Sequence, residues 1–157
     1  MKTPSLAITL IVTLAWTPTL LAKSTECAAV SPSTRTALVE LYTSEGCNSC
    51  PPADRWLSRQ TEREWDARQV VALAFHVDYW DRLGWKDRFA QPAFSARQRA
   101  LAAQQGSRTV YTPQVLVSGR SLSQWQQSED FQQEITTLTA QPAPADLRAE
   151  LMPEPER

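Results

Sequence analysis

The apolar positions of this chain gather into short blocks separated by polar, proline-marked stretches. Residues 36 to 43, Thr-Ala-Leu-Val-Glu-Leu-Tyr-Thr, are rich in strand formers and predict a first strand. Residues 51 to 68 have a helical composition. Trp56, Leu57 and Trp65 fall on one broad face of that helix, although the period is ragged. Residues 69 to 80 open with a nearly continuous apolar run, the pattern of a strand buried on both faces. A polar-aromatic loop follows. Residues 92 to 105 predict a second helix with Pro92 near its start, where a missing N–H costs nothing. Residues 114 to 119 predict a short strand ended by Gly119, and 120 to 125 a weak last one. Residues 128 to 140 predict a closing helix with Ser128 as its N-cap.

This order predicts an α/β fold, a small central mixed sheet flanked by helices. The strand-helix-strand unit implies a right-handed crossover and a parallel pair, and the short closing strands imply an antiparallel end. The 157 residues suit one domain, placed at 36 to 140. Residues 23 to 35 are small and polar and are expected to be loosely ordered. The tail, 141 to 157, carries four prolines and many charges and is expected to be mobile.

The N-terminal block has a different character. Lys2 precedes an apolar run from 6 to 16, Pro18 breaks it, and Ala22-Lys23-Ser24 offers a cleavage site. This is the layout of a signal peptide, assigned to residues 1 to 24. Spanning a bilayer takes roughly 18 apolar residues, more than this interrupted run supplies. The expectation is an exported protein, periplasmic or secreted, with no membrane span after cleavage. Ser24-Thr25-Glu26 before Cys27 is not a lipoprotein motif. Formal net charge is −1 and the basic residues form no patch, so no nucleic-acid partner is expected.

Export changes how the three cysteines read, because thiols outside the cytoplasm meet an oxidising compartment. Cys47 and Cys50 form a Cys-x-x-Cys pair directly after the first strand and at the opening of a helix. That spacing lets one thiolate attack a substrate disulfide while the second waits to resolve the mixed disulfide. A helix N-terminus favours the thiolate. Half a zinc site has the same spacing. Three cysteines and His76, the only histidine, could make four ligands. A metal carrier using Cys47, Cys50 and His76 therefore stands as a third reading, behind a redox pair and a structural staple.

The stretch Val-Tyr-Thr-Pro-Gln-Val-Leu-Val-Ser-Gly places Thr112-Pro113 immediately before a short strand. Here the sequence resembles the thioredoxin and glutaredoxin superfamily. The resemblance implies a cis-proline at Pro113 facing the Cys-x-x-Cys, with the backbone of Thr112 free to pair with an incoming substrate. Residues 40 to 50 also look like a glutaredoxin active-site entrance. The glycines with which glutaredoxins hold glutathione are replaced by Gln126-Gln127-Ser128-Glu129-Asp130. A more specific resemblance covers about residues 36 to 120. The blocks at 40–54, 72–90, 94–102 and 110–119 together are similar to a family of secreted bacterial thioredoxin-like proteins known only as a domain of unknown function. Members of that family usually continue with a further strand-rich stretch.

The resemblance implies a thioredoxin-like fold and an exported thiol-disulfide oxidoreductase. Cys47 would attack, Cys50 would resolve, and Thr112 and Pro113 would face a protein or small-molecule thiol or disulfide. No cofactor is expected beyond the redox-active disulfide itself. The alternative is a redox-inert binding module of the same fold with a structural 47–50 disulfide. Tyr79, Trp80 and Trp85 could line the substrate surface or simply cover the core. Glu40 and His76 are candidates for a proton relay. Thioredoxins place a buried carboxylate six residues before the first cysteine, whereas Glu40 precedes it by seven, which would turn the side chain to the other face. A salt-bridged Glu40 and a core His76 are the alternatives. Cys50-Pro51 biases the chain against early helix, so α-helix is expected to begin near Pro52. With Glu45 nearby and only Arg55 to help, the Cys47 thiol is expected to be modestly acidified.

Overall fold

The computed structural model describes residues 28–62 and 66–151. The signal-peptide assignment, Cys27 and Trp65 lie outside the described residues.

A four-stranded mixed sheet carries the fold, in the order β3-β2-β4-β5. Strand β2 (Ala37–Thr43) is central and buried along nearly its whole length. It pairs in parallel with β3 (Val70–His76), from Ala37 opposite Val70 to Thr43 opposite His76. On its other side it pairs antiparallel with β4 (Gln114–Val117), whose Gln114 faces Tyr42. Strand β5 (Arg120–Ser121) closes a hairpin on β4. Its two-residue turn, Ser118-Gly119, has positive φ at both positions (47° and 82°), the turn geometry that matches strand twist.

The period of two along β2 sorts the two faces. Ala37, Val39 and Leu41 face helix α1 (Pro51–Glu62) and helix α3 (Ser128–Thr139). There Trp56 of α1 packs edge-on against Phe131 of α3, with ring centroids 5.1 Å apart, and against Trp125 at 5.5 Å. Such pairs add about 1 kcal/mol each beyond their buried area. Tyr42 and Leu116 face the other way. They meet Phe75, Leu101 of helix α2 (Pro92–Gln104), and Tyr79 and Trp80 of a 3-10 helix at Asp78–Leu83.

Several sequence expectations change in the structure. The apolar run expected as a strand buried on both faces is an edge strand with exposed Val71 and Leu73. The pattern recorded apolar content, but a strand's place in the sheet depends on which neighbours pair with it. That strand also stops at His76, short of the end of the run at residue 80, and the chain turns into the 3-10 helix. The Asp78 N–H there donates to Ser95 Oγ, and Gly84 at φ 109° ends the turn. The first helix ends within the described residues at Glu62, and Asp66 already begins a turn that receives the Gln69 N–H. Pro92 opens α2 as expected, but α3 begins at Ser128 itself, with Gln127 in the N-cap position. The segments expected to be loose pair with each other. Strand β1 (Ala28–Val30) runs antiparallel to β6 (Arg148–Glu150), and backbone bonds from Ser31 to Leu147 and from Ala143 to Ser33 extend the ladder. The proline content of the tail concealed this pairing because its partner lies more than 100 residues away. Among the described residues, no helix is long and apolar enough to cross a membrane.

Candidate functional site

Strand β2 ends at Thr43 and the chain enters α1 through a seven-residue loop. Two turns shape it: Cys47 N–H donates to Ser44 O at 3.1 Å, and Cys50 N–H to Cys47 O at 3.2 Å. Cys47 and Cys50 are joined as a disulfide, with Cα atoms 5.4 Å apart. The Cys50 carbonyl then accepts the N–H groups of Ala53 and Asp54, so the helix starts at Pro51 rather than Pro52. The reason is that the residue before a helix has non-helical backbone, the geometry a pre-proline residue prefers, while proline suits the first helical position. Cys50 thus sits at the helix end, three residues nearer to it than Cys47. Asp54 in the first turn accepts the Thr43 hydroxyl at 2.7 Å and ties α1 to β2. Both cysteines are buried, Cys47 at 2% and Cys50 at 0% exposure.

The Thr112–Pro113 peptide bond is cis. It lies one residue beyond the Tyr42–Gln114 pair, at the end of the sheet where β2 runs out into the cysteine loop. Trp80 links the two: its Nε1–H donates to Thr112 Oγ1 at 2.8 Å, and its Cβ stands 3.5 Å from where a Cβ on Gly46 would be. Trp85 approaches the same glycine through its carbonyl oxygen at 3.6 Å, and its Nε1–H donates to Glu45 Oε2 at 3.1 Å. Trp85 as a residue is 61% exposed. Tyr79 is different. Its hydroxyl donates to Gln98 Oε1, and Gln98 Nε2 donates to Gln114 Oε1 and the Tyr111 carbonyl, an internal polar chain. Burial pushes the Tyr79 phenol above its ordinary pKa. The structure therefore brings Cys47, Cys50, Thr112, Pro113, Trp80 and Trp85 to one end of the sheet and uses Tyr79 as packing behind them. Trp80→Phe is expected to cost about 1 kcal/mol by removing one partly buried hydrogen bond. Urea denaturation of the two proteins measures this.

Glu40 lies on the sheet face opposite α1. Its buried carboxylate accepts from Arg97 Nη2 at 2.7 Å and Nε at 2.8 Å, and the Tyr42 hydroxyl donates to it at 3.4 Å. Burial first, and then the neighbouring Glu40 charge, push the Tyr42 phenol up to about 12. The seven-residue offset thus places Glu40 in an ion pair beneath α2, on the face away from the helix that Cys50 caps.

His76 ends β3, and its Nδ1 lies 2.6 Å from Asp87 Oδ2. Nothing in the local pattern around Asp87 singles it out. Its side chain is fully buried and is heavily bonded. Oδ2 also accepts the Glu45 N–H at 2.8 Å, and Oδ1 accepts the Phe89 N–H at 2.8 Å. Burial raises the Asp87 pKa, but the bonds from Glu45, His76 and Phe89 outweigh it, so the carboxyl sits below its ordinary value of 3.8. A depressed folded-state pKa contributes stability that is present above the unfolded value and lost as pH falls through the folded one. The wild-type melting temperature is therefore expected to fall more steeply below about pH 4 than that of Asp87→Asn. Melting curves between pH 2 and 7 check this; parallel slopes would count against it. Among the described residues no group of three His, Cys, Asp or Glu side chains is placed to hold a metal ion.

Comparison with known proteins adds the following. A crystal structure of an Agrobacterium tumefaciens protein from a structural genomics programme matches with a TM-score of 0.57 at 34% identity. The match covers 68% of this chain and 46% of that one, so this chain spans less than half the length of its solved relative. A search of curated proteins finds no match. The sequence pattern of the family described as Protein of unknown function (DUF1223) matches residues 38–156, and the chain belongs to that family.

Proposed function

We propose that this protein is an exported thiol-disulfide oxidoreductase of thioredoxin-like fold, working through Cys47 and Cys50. The observation that carries the reading is the meeting of the Cys47–Cys50 disulfide and the cis Thr112–Pro113 bond at one sheet end, bridged by Trp80. The strand order β3-β2-β4-β5, with one parallel and two antiparallel pairings, supports the thioredoxin-like reading. So does the helix that leaves the central strand through the cysteine pair. The N-terminal signal layout supports export. The substrate is a protein or small-molecule thiol or disulfide. Exposed Trp85 and Phe89 beside the loop favour a partner with apolar side chains near its cysteine.

One observation favours a second reading. Attack on a disulfide needs access to a sulfur, and both cysteines are buried. A redox-inert binding module with a permanent 47–50 staple fits that burial. Reduction potential separates the two: a catalytic pair is expected between about −120 and −270 mV, a structural one below about −300 mV. Equilibration of the purified mature protein against glutathione or dithiothreitol buffers gives the potential, with insulin reduction as the activity assay. A potential below the catalytic range together with no insulin reduction would leave the binding module as the function.

A further inference from the structure

A single oxygen, Asp87 Oδ2, joins the loop that leads into the cysteine pair to the only histidine of the chain. It accepts the Glu45 N–H, two residues before Cys47, at 2.8 Å, and it lies 2.6 Å from His76 Nδ1. The other oxygen holds the Phe89 N–H, and the Asp87 N–H itself donates to Asp81 Oδ1 at 3.1 Å. One buried carboxylate thus fixes three segments at once: the cysteine loop, the end of β3, and the aromatic loop that carries Trp85. With Nδ1 turned to the carboxylate, Nε2 is the nitrogen left to take up or release a proton, and the His76 side chain is 24% exposed, so solvent protons reach it.

We propose that Asp87 is a positioning residue for the Cys47–Cys50 pair and that it couples the protonation of His76 to the reactivity of Cys47. The proposal rests on the redox reading of the pair. A proton on His76 places a positive charge one shared oxygen away from the loop backbone. A neighbouring positive charge favours a thiolate over a thiol. The other charged groups around the dyad are few. The Glu45 carboxylate is exposed and accepts from Trp85, Asp81 takes the Asp87 N–H, and Arg88 lies over the Phe89 ring that packs edge-on against His76. When the disulfide is reduced by a dithiol, one substrate thiolate bonds to Cys47 while the S–S bond breaks and Cys50 leaves as a thiolate. A second substrate thiolate then displaces Cys47. Two electrons pass from substrate to protein, and the protons of the two substrate thiols end on Cys47 and Cys50. His76 acts on this balance by biasing the thiolate form.

The test uses the reduced mature protein carrying Cys50→Ser, to leave one thiol in the pair, and the rate at which iodoacetamide alkylates the Cys47 peptide against pH, in an otherwise wild-type, His76→Gln or Asp87→Asn chain. The wild-type profile is expected to show two inflections, one that depends on His76 and one set by the thiol. His76→Gln is expected to keep only the thiol inflection. Asp87→Asn is expected to lose the histidine step as well and to react roughly tenfold faster at pH 7, because the loop is released and a negative charge is removed. A single inflection in the wild type, or two in His76→Gln, overturns the proposal. So does a folded Asp87→Asn with the wild-type profile. If Asp87→Asn does not fold, the wild-type and His76→Gln profiles decide. Alkylation needs no turnover, so failure of the oxidoreductase reading shows in insulin reduction and failure of the coupling shows here.

Discussion

Cys50→Ser is expected to trap its substrate as a mixed disulfide on Cys47, and Cys47→Ser is expected to trap none. In the reducing direction, the Cys47 thiolate attacks a substrate disulfide, forms one S–S bond and expels one substrate thiolate. Release then requires the Cys50 thiolate to attack Cys47 sulfur, and a serine hydroxyl at 50 does not do this near neutral pH. Turnover is expected to vanish in both variants, while the covalent adduct appears in one alone. The order of roles follows from position: Cys50 caps α1 and has 0% exposure, whereas Cys47 lies in the loop beside Gly46, Trp80 and Trp85. Loss of the disulfide should leave the fold standing. A crosslink between residues three apart restrains the unfolded chain little, about 2 kcal/mol on the chain-entropy scale. Incubation of each variant with oxidised insulin, followed by intact-mass measurement, reads the adduct directly. An adduct on Cys47→Ser and none on Cys50→Ser would reverse the assignment; none on either would remove the catalytic one.

The second large effect concerns stability. Arg97→Met is expected to destabilise the protein by about 3 kcal/mol at neutral pH. The substitution strands the Glu40 carboxylate on the central strand, where it is buried and has only a long contact from Tyr42. An uncompensated buried charge typically costs about 3 to 5 kcal/mol. The low end applies because Arg97 is itself 45% exposed, and water reaches the pair once its side chain is shortened. Removing the charge as well should restore most of the loss, so Arg97→Met with Glu40→Leu is expected within about 1 kcal/mol of wild type. Urea unfolding of the two variants makes the comparison. A single variant as stable as wild type would show that the ion pair is not a structural element of the α2 face.

Much of the fold was legible in the residues. The strand at 37–43, the helical run after the cysteines, the helix that Pro92 opens, the short strand at 114 and the parallel pairing of the first two sheet strands all follow local pattern. That works because periodicity and proline geometry act within a few residues. The first-residue errors, Pro52 for Pro51 and Ser128 for Gln127 as the cap, are local; the larger misreadings have a different cause. Val71 and Leu73 look like core in sequence and lie exposed on an edge strand. The proline-rich tail looks mobile and pairs at 148–150 with residues 28–30. Each depends on a partner far away in the chain. Asp87 was invisible for the same reason: an aspartate among Lys86 and Arg88 reads as one more surface charge until the fold brings Glu45 and His76 to it.

The sequence by itself determined the chemistry available: two cysteines at the spacing of a redox pair, a Thr-Pro step before a strand, and a set of tryptophans near both. Those are covalent and local facts, fixed by residue type and spacing. Only the tertiary structure decided how they are used. It brought Arg97 of α2 to the Glu40 carboxylate, a partner 57 residues away. It also buried the disulfide behind a loop held by one carboxylate, because hydrogen bonds across some forty residues form only when the strands that carry them have paired.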